Sequence, residues 1–164
     1  MPKVEITPVT ERYFEGLRQV LDTVAREKRY LAFTQAPPRQ EAFDFFRGII
    51  EGGYCQFIAL QNDVVVGWCD ILPVHGEARA HVGVLGIGLM PAVRHRGIGA
   101  KLLEATLAQA WKQGLSRIEL TVRTDNTNAK VLYERFGFVA EGINAKAFCV
   151  DDRFYDTCSM ALLR

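Results

Sequence analysis

The stretch RHRGIGAKLL, residues 94–103, sets two glycines and the cations Arg94, Arg96 and Lys101 around the start of an apolar helical repeat. A helix start exposes N–H groups that have no intrahelical partner, and the helix dipole puts its positive end there. Arg94-x-x-Gly97-x-Gly99 therefore reads either as an anion seat or as a plain glycine-rich turn. As a seat, it would let a pyrophosphate approach the backbone closely, because glycine has no Cβ. The N–H groups from Arg94 to Gly99 would donate, and Arg94, Arg96 and Lys101 would add charge at the rim. A dinucleotide fingerprint fits poorly. Leu102 stands where the third glycine of G-x-G-x-x-G belongs, and no acidic residue sits at the end of a second strand about 20 residues on. No Gly-Lys-Ser/Thr is present for a P-loop.

The flanks supply a strand and a helix. AHVGVLGIGLM (80–90) reads as a strand that ends at Pro91 and is rich in glycine, which weakens a strand unless a bulge or close approach uses it. After Gly99 a helix carries Leu102, Leu103, Leu107, Ala110 and Trp111 as its apolar stripe, with Gly114 as C-cap. RIELTVR (117–123) alternates as a strand, and DNTNAKVLYERFGF (125–138) reads as a short helix with Ala129, Leu132, Tyr133 and Phe136 on one face.

Further out the pattern continues. VEITPV (4–9) is a first strand, and Thr10 caps a helix with Phe14, Leu17, Leu21 and Val24 on one face. The segment 29–40 is a loop around Pro37-Pro38, and Phe43, Phe46, Ile49 and Ile50 mark a second helix stopped by Gly52-Gly53. Residues 54–60, 61–63 and 64–73 read as strand, tight turn, strand. Two strands near 147–151 and 154–163 finish the chain. This order predicts a mixed-sheet α/β fold, with residues 1–164 as a single domain.

Composition narrows the function. Net charge is +1, with 49% hydrophobic and 24% charged residues, and no basic stripe exists for nucleic acid or a membrane surface. The start lacks an apolar signal-peptide core, and no stretch reaches the length of a membrane span. Cys55, Cys69, Cys149 and Cys158 form no C-x-x-C pair, and His75, His81 and His95 make no metal-ligand spacing with them. We expect reduced cysteines in a cytoplasmic protein without a metal.

Together, RHRGIG (94–99) and NTNAKVLYERFGF (126–138) resemble the GCN5-related N-acetyltransferase (GNAT) family, whose motifs are Arg/Gln-x-x-Gly-x-Gly/Ala and Asn-x-x-Ala-x-x-Leu-Tyr-x-x-x-Gly-Phe. The resemblance is specific over about residues 64–142. It implies a central, mostly antiparallel sheet with a splayed, bulged strand pair and about four helices. It also implies acetyl-CoA as co-substrate. Ile87, Gly88 and Leu89 would lie at the bulge and pair with the pantetheine arm like an added strand. Arg94, His95, Arg96, Gly97, Ile98, Gly99 and Ala100 would seat the pyrophosphate, and Asn126 would hydrogen-bond near the cofactor or brace the splayed strands. Tyr133 would aim its hydroxyl at the sulfur as a general acid, where its alternative is a core aromatic.

The acceptor amine must lose a proton before it attacks. Many family members carry a glutamate on the bulged strand or the next one. The equivalent positions here are Val84 and Thr121, and neither serves as a base. His81, Asp70, Glu119 and a water chain are the candidates, with His81 placed first. Arg26, Glu27, Arg29, Tyr30 and Phe33 are expected near the acceptor, where cations would bind a carboxylate and aromatics an apolar side chain. The expected reaction is acetyl transfer to a small-molecule amine, an amino acid or similar compound. A protein N-terminus or lysine as acceptor, and a CoA-binding module without catalysis, are the alternatives. A homodimer is compatible with the resemblance.

Overall fold

The structure, a computed structural model, describes residues 2–164. Chain order gives β1 (Val4–Pro8), α1 (Phe14–Arg26), α2 (Arg39–Gly52), β2 (Cys55–Gln61), β3 (Val64–Pro73) and β4 (Val82–Leu89). It continues with α3 (Ile98–Lys112), β5 (Arg117–Arg123), α4 (Thr127–Arg135), β6 (Val139–Val150) and β7 (Arg153–Leu163). The strands form one sheet in the order β1-β2-β3-β4-β5-β7-β6. Every pairing is antiparallel except β4 with β5.

Local chemistry sets the connections. Asn62 and Asp63 both adopt positive φ (52° and 64°) in the two-residue turn between β2 and β3, and Asp151-Asp152 does the same between β6 and β7. Such turns match the right-handed twist of the strands they join. Gly53, at φ 68°, closes α2 in the left-handed conformation. Thr10 precedes a single 3-10 turn over Glu11–Tyr13, and its side chain caps nothing; α1 begins only at Phe14. The helix expected after Gly99 starts two residues earlier, at Ile98, with Gly97 as N-cap at φ 80°. β6 is longer than its sequence signal, since it runs from Val139 and takes in the whole EGINAK segment.

Each face of the sheet has its own core. α1 and α2 bury Phe14, Leu17, Val20, Val24 and Phe46 against Ile58, Leu60 and Trp68. On the other face α3 buries Leu102, Leu103, Leu107 and Ala110 against Cys69, Ile71, Leu85, Ile118 and Leu120, with Tyr133 of α4 in the same cluster. Trp68 and Cys69, adjacent in β3, divide between the two cores as strand alternation requires. Ile50, expected on the apolar side of α2, is exposed, and Ala42 takes its place in the core.

The feature that positions the site is the gap between β4 and β5. These strands pair only over Val82–Val84 with Arg117–Glu119. From Leu85 onward β4 keeps β3 as its one ladder partner, with an unbroken register from Pro73↔Gly83 to Gly67↔Leu89. The bulge expected at Ile87–Leu89 is therefore not an interruption of that ladder. The opening comes from divergence of β4 and β5, while the register shifts fall in the β2–β3 and β6–β7 ladders.

Leu103 is fully buried between α3 and the sheet. Leu103→Ala is expected to cost about 3 kcal/mol of unfolding free energy, read from urea denaturation as a lower midpoint at unchanged slope.

Candidate active site

A cleft of about 380 Å³ opens where β4 and β5 part. One wall is Ile87, Gly88 and Leu89 of β4, whose edge toward β5 has no strand partner. The opposite wall is Thr121, Val122 and Arg123 of β5, and Asn126, Ala129, Leu132 and Tyr133 line it from α4 and the turn before it. The floor is the start of α3, with Gly97, Gly99 and Ala100. Val24 and Tyr30 reach in from α1 and its following loop.

The loop from Arg94 to Gly97 is shaped for backbone donation. His95 (φ 63°) and Gly97 (φ 80°) are both left-handed, a geometry that turns successive N–H groups toward one concavity. Gly97 needs its glycine for that φ. Gly99 does not, because a Cβ there would make only ordinary contacts with Leu132 and Leu89 at 3.5–3.6 Å. Ile98, Gly99 and Ala100 form the first turn of α3, so their N–H groups lack intrahelical partners.

Of the residues expected to hold the cofactor, Ile87, Gly88, Leu89, Arg94, His95, Gly97, Gly99, Ala100, Asn126 and Tyr133 line this cleft. Arg96 is exposed and does not line it, and the Ile98 side chain is buried in the core beneath it. The Arg94 guanidinium is not free at the rim. It grips Glu27 through two hydrogen bonds (2.9 and 2.6 Å) and donates to the Leu89 carbonyl at 2.9 and 3.2 Å. The Glu27 hydrogen bond also raises the Arg94 pKa. Its charge is spent on holding the end of α1, and it lies 4.8 Å from the Tyr30 ring.

Asn126 serves as N-cap of α4, its side-chain oxygen accepting from Ala129 N–H at 3.3 Å. Tyr133 packs on Phe138 with ring centroids 5.8 Å apart, and burial raises its hydroxyl above the ordinary phenol value. It stays protonated through the neutral range, and the residue lines the cleft.

His81 lies elsewhere. It is exposed ahead of β4, and its carbonyl accepts the N–H groups of Ser116 and Arg117. The cleft is at the other end of that strand, roughly 20 Å away at 3.3 Å per residue. Glu119 is held by Arg79 and Arg117 outside the cleft. Asp70 of β3 stands one strand behind β4, opposite Gly86. Around the acceptor side, Tyr30 lines the cleft, Arg26 is tied to Asp22 within α1, and Phe33 is exposed.

No local sequence pattern marks Arg123 as part of the site. It is buried, bidentate to Asp125 (2.9 and 2.6 Å), and donates to the Lys28 carbonyl at 3.1 Å while stacked on Tyr155. Arg94 and Arg123, from opposite walls, thus hold the adjacent residues Glu27 and Lys28. Glu27→Ala leaves a half-buried guanidinium without its carboxylate. The expected cost is about 1–2 kcal/mol in chemical denaturation, with Glu27→Gln recovering part of it.

The chain matches the Acetyltransferase (GNAT) family over residues 18–138. It is 27% identical over 166 residues to the L-amino acid N-acetyltransferase AaaT of Escherichia coli (strain K12), covering all of both chains. It is 30% identical over 135 residues to N-alpha-acetyltransferase 50 of Danio rerio, covering 82% of this chain and 71% of that one. The solved structure of yncA, a putative acetyltransferase from Salmonella typhimurium with its cofactor acetyl-CoA, superimposes with a TM-score of 0.93 at 15% identity, covering 98% and 94% of the two chains. The divergent β4–β5 pair, the glycine-rich start of α3 and Tyr133 share one cleft, and with the family match over residues 18–138 the chain belongs to the GNAT family.

Proposed function

We propose that this acetyltransferase moves the acetyl group of acetyl-CoA to the primary amine of a small molecule, an amino acid or a compound like one. The observation that carries this reading is the unpartnered edge of β4 facing a glycine-rich helix start across one cleft. An extended amide chain such as pantetheine satisfies that edge as an added strand through Ile87, Gly88 and Leu89. The N–H groups around His95–Ala100 receive the pyrophosphate, with no side chain on Gly97 or Gly99 to hold it off. When bound, acetyl-CoA supplies the activated acyl group as a thioester.

The chain's own residues then do three things. The β4 backbone orients the arm and offers an N–H to the carbonyl oxygen as it gains negative charge. Tyr133 donates its hydroxyl proton toward the leaving sulfur, whose thiol has an ordinary pKa of about 8.5. Asn126 fixes the start of α4 and so the position of Tyr133.

The small acceptor is supported by full-length similarity to an enzyme named for L-amino acids. Similarity to an N-alpha-acetyltransferase supports a second reading, in which the acceptor is a peptide N-terminus. We also propose residues 1–164 as a single catalytic domain.

Thiol release from acetyl-CoA against amino acids, polyamines and short peptides tests both readings. Release with free amino acids and none with peptides is expected, and the reverse pattern would favour the second reading. Tyr133→Phe should lower kcat about 100-fold with little change in the KM for acetyl-CoA.

A further inference from the structure

Asp70 has no part in the steps above, and its placement gives it one. The pyrophosphate seat lies beyond the C-terminal end of β4, so an arm paired with β4 runs back from Leu89 toward Ile87. Its reacting end then lies beside Gly86 and Ile87. The β3–β4 register sets Asp70 directly opposite Gly86. A Cβ on Gly86 would stand 3.1 Å from Asp70 Oδ1, so the carboxylate leans over the β4 backbone where a side chain would crowd it. Trp68, on the same face, covers Gly88 in the same way, its ring 2.3 Å from where a Cβ would be. The remaining residues of β4 on this face are Val82, buried, and Val84, 40% exposed, and both are uncharged. β4 itself therefore offers the acceptor no proton-accepting side chain there, and the neighbouring strand does.

The surroundings of Asp70 leave that carboxylate unspent. Its Oδ2 accepts from Gln56 Nε2 of β2 at 3.2 Å, and among the described residues it has no salt-bridge partner. Gln56 Oε1 is buried without a donor, so the pair holds one more acceptor than the protein satisfies. β4 faces Asp70 with Gly86 and Val84, while α1 and α2 turn Leu17, Val20, Val24 and Phe46 toward this side of the sheet. The thiol of Cys69, next in β3, belongs to the opposite core. A carboxylate held from water without a cation costs stability, and an asparagine would make the same contact without that cost. Asp70 nonetheless keeps part of its surface open to solvent.

The geometry points to Asp70 as the group that takes the proton from the acceptor's ammonium, relayed by water over Gly86; this rests on the acetyl transfer proposed above. The ammonium N–H bond breaks and its proton passes to the carboxylate. The freed nitrogen lone pair forms the C–N bond as the C–S bond breaks. The second nitrogen proton replaces the one Tyr133 gives to sulfur, and the proton on Asp70 leaves to solvent. Burial pushes the Asp70 carboxyl up to about 7, against the lowering effect of the Gln56 hydrogen bond, so it accepts protons where the ammonium still dominates.

The test compares kcat across pH for amines whose own pKa values differ by a unit or more. Wild type should show one rising limb near pH 7 common to all of them. Asp70→Asn should lose that limb, drop kcat about 100-fold at pH 7.5, and regain rate only above the amine pKa, with KM for acetyl-CoA within twofold. A readout without turnover is the Tm of the ligand-free protein. The folded-state pKa lies above the unfolded value near 3.9, so wild-type stability is lost as pH rises from about 4 through 7. Asp70→Asn lacks that loss, and its Tm advantage should grow between pH 5 and pH 8. A limb that tracks the amine pKa, or a variant with wild-type kcat and profile, overturns the proposal. If Asp70→Asn does not fold, the wild-type comparison across amines decides alone. Wild type that releases no thiol with any amine overturns the transfer reading itself, and Asp70's role with it.

Discussion

Two parallel strands that separate after three residue pairs leave backbone donors and acceptors unmet in the middle of a sheet. The rest of the site is arranged around that debt. The start of α3 fills the far end of the gap, α4 and Tyr133 stand on one side, and the unpaired edge of β4 faces them. Divergence must also be held at a fixed width, and two arginines do this from opposite walls. Arg94, just past β4, grips Glu27, and Arg123, at the end of β5, grips the next residue's carbonyl. One short stretch after α1 thereby ties the two strands across the opening.

Glycine placement follows the same logic on the other face. Gly86 and Gly88 leave β4 bare so that Asp70 and Trp68 can lie over it. The strand is thus exposed to ligand at its edge and covered on its face by side chains of β3. The Trp68 ring belongs to the α1–α2 core, so the packing of that core is continuous with the wall of the cleft.

Much of this was legible in the sequence because its signals are local. The period of Leu102, Leu103, Leu107 and Ala110 marks α3, alternation in RIELTVR marks β5, and glycines mark the ends of α2, α3 and α4. The motif residues Gly97, Gly99, Asn126 and Tyr133 meet at one cleft. What was not legible depends on distance along the chain. The Arg94–Glu27 pair spans 67 residues and the Arg123–Lys28 contact 95, and no local pattern announces either. Arg94 looked free for an anion because its partner lies on another element. His81 looked close to the chemistry because a strand was read without knowing which of its ends opens. β6 went partly unread because its residues are almost all exposed, which erases the alternation that marks a strand.

The two borders of the sheet carry a consequence of their own. β1 is five residues long and ends in Pro8, which has no N–H to offer a neighbouring chain. β6 is twelve residues long, and such a border would ordinarily invite another molecule's strand. Its ladder with β7 is interrupted twice, between Ala140 and Gly142 and between Asn144 and Phe148, and Lys146 sits at positive φ within the second break. Glu141 occupies the first break, paired with Arg117. The long border is thus cut into short lengths with a charge at each cut, which denies a visiting strand the unbroken run needed to propagate a fibre.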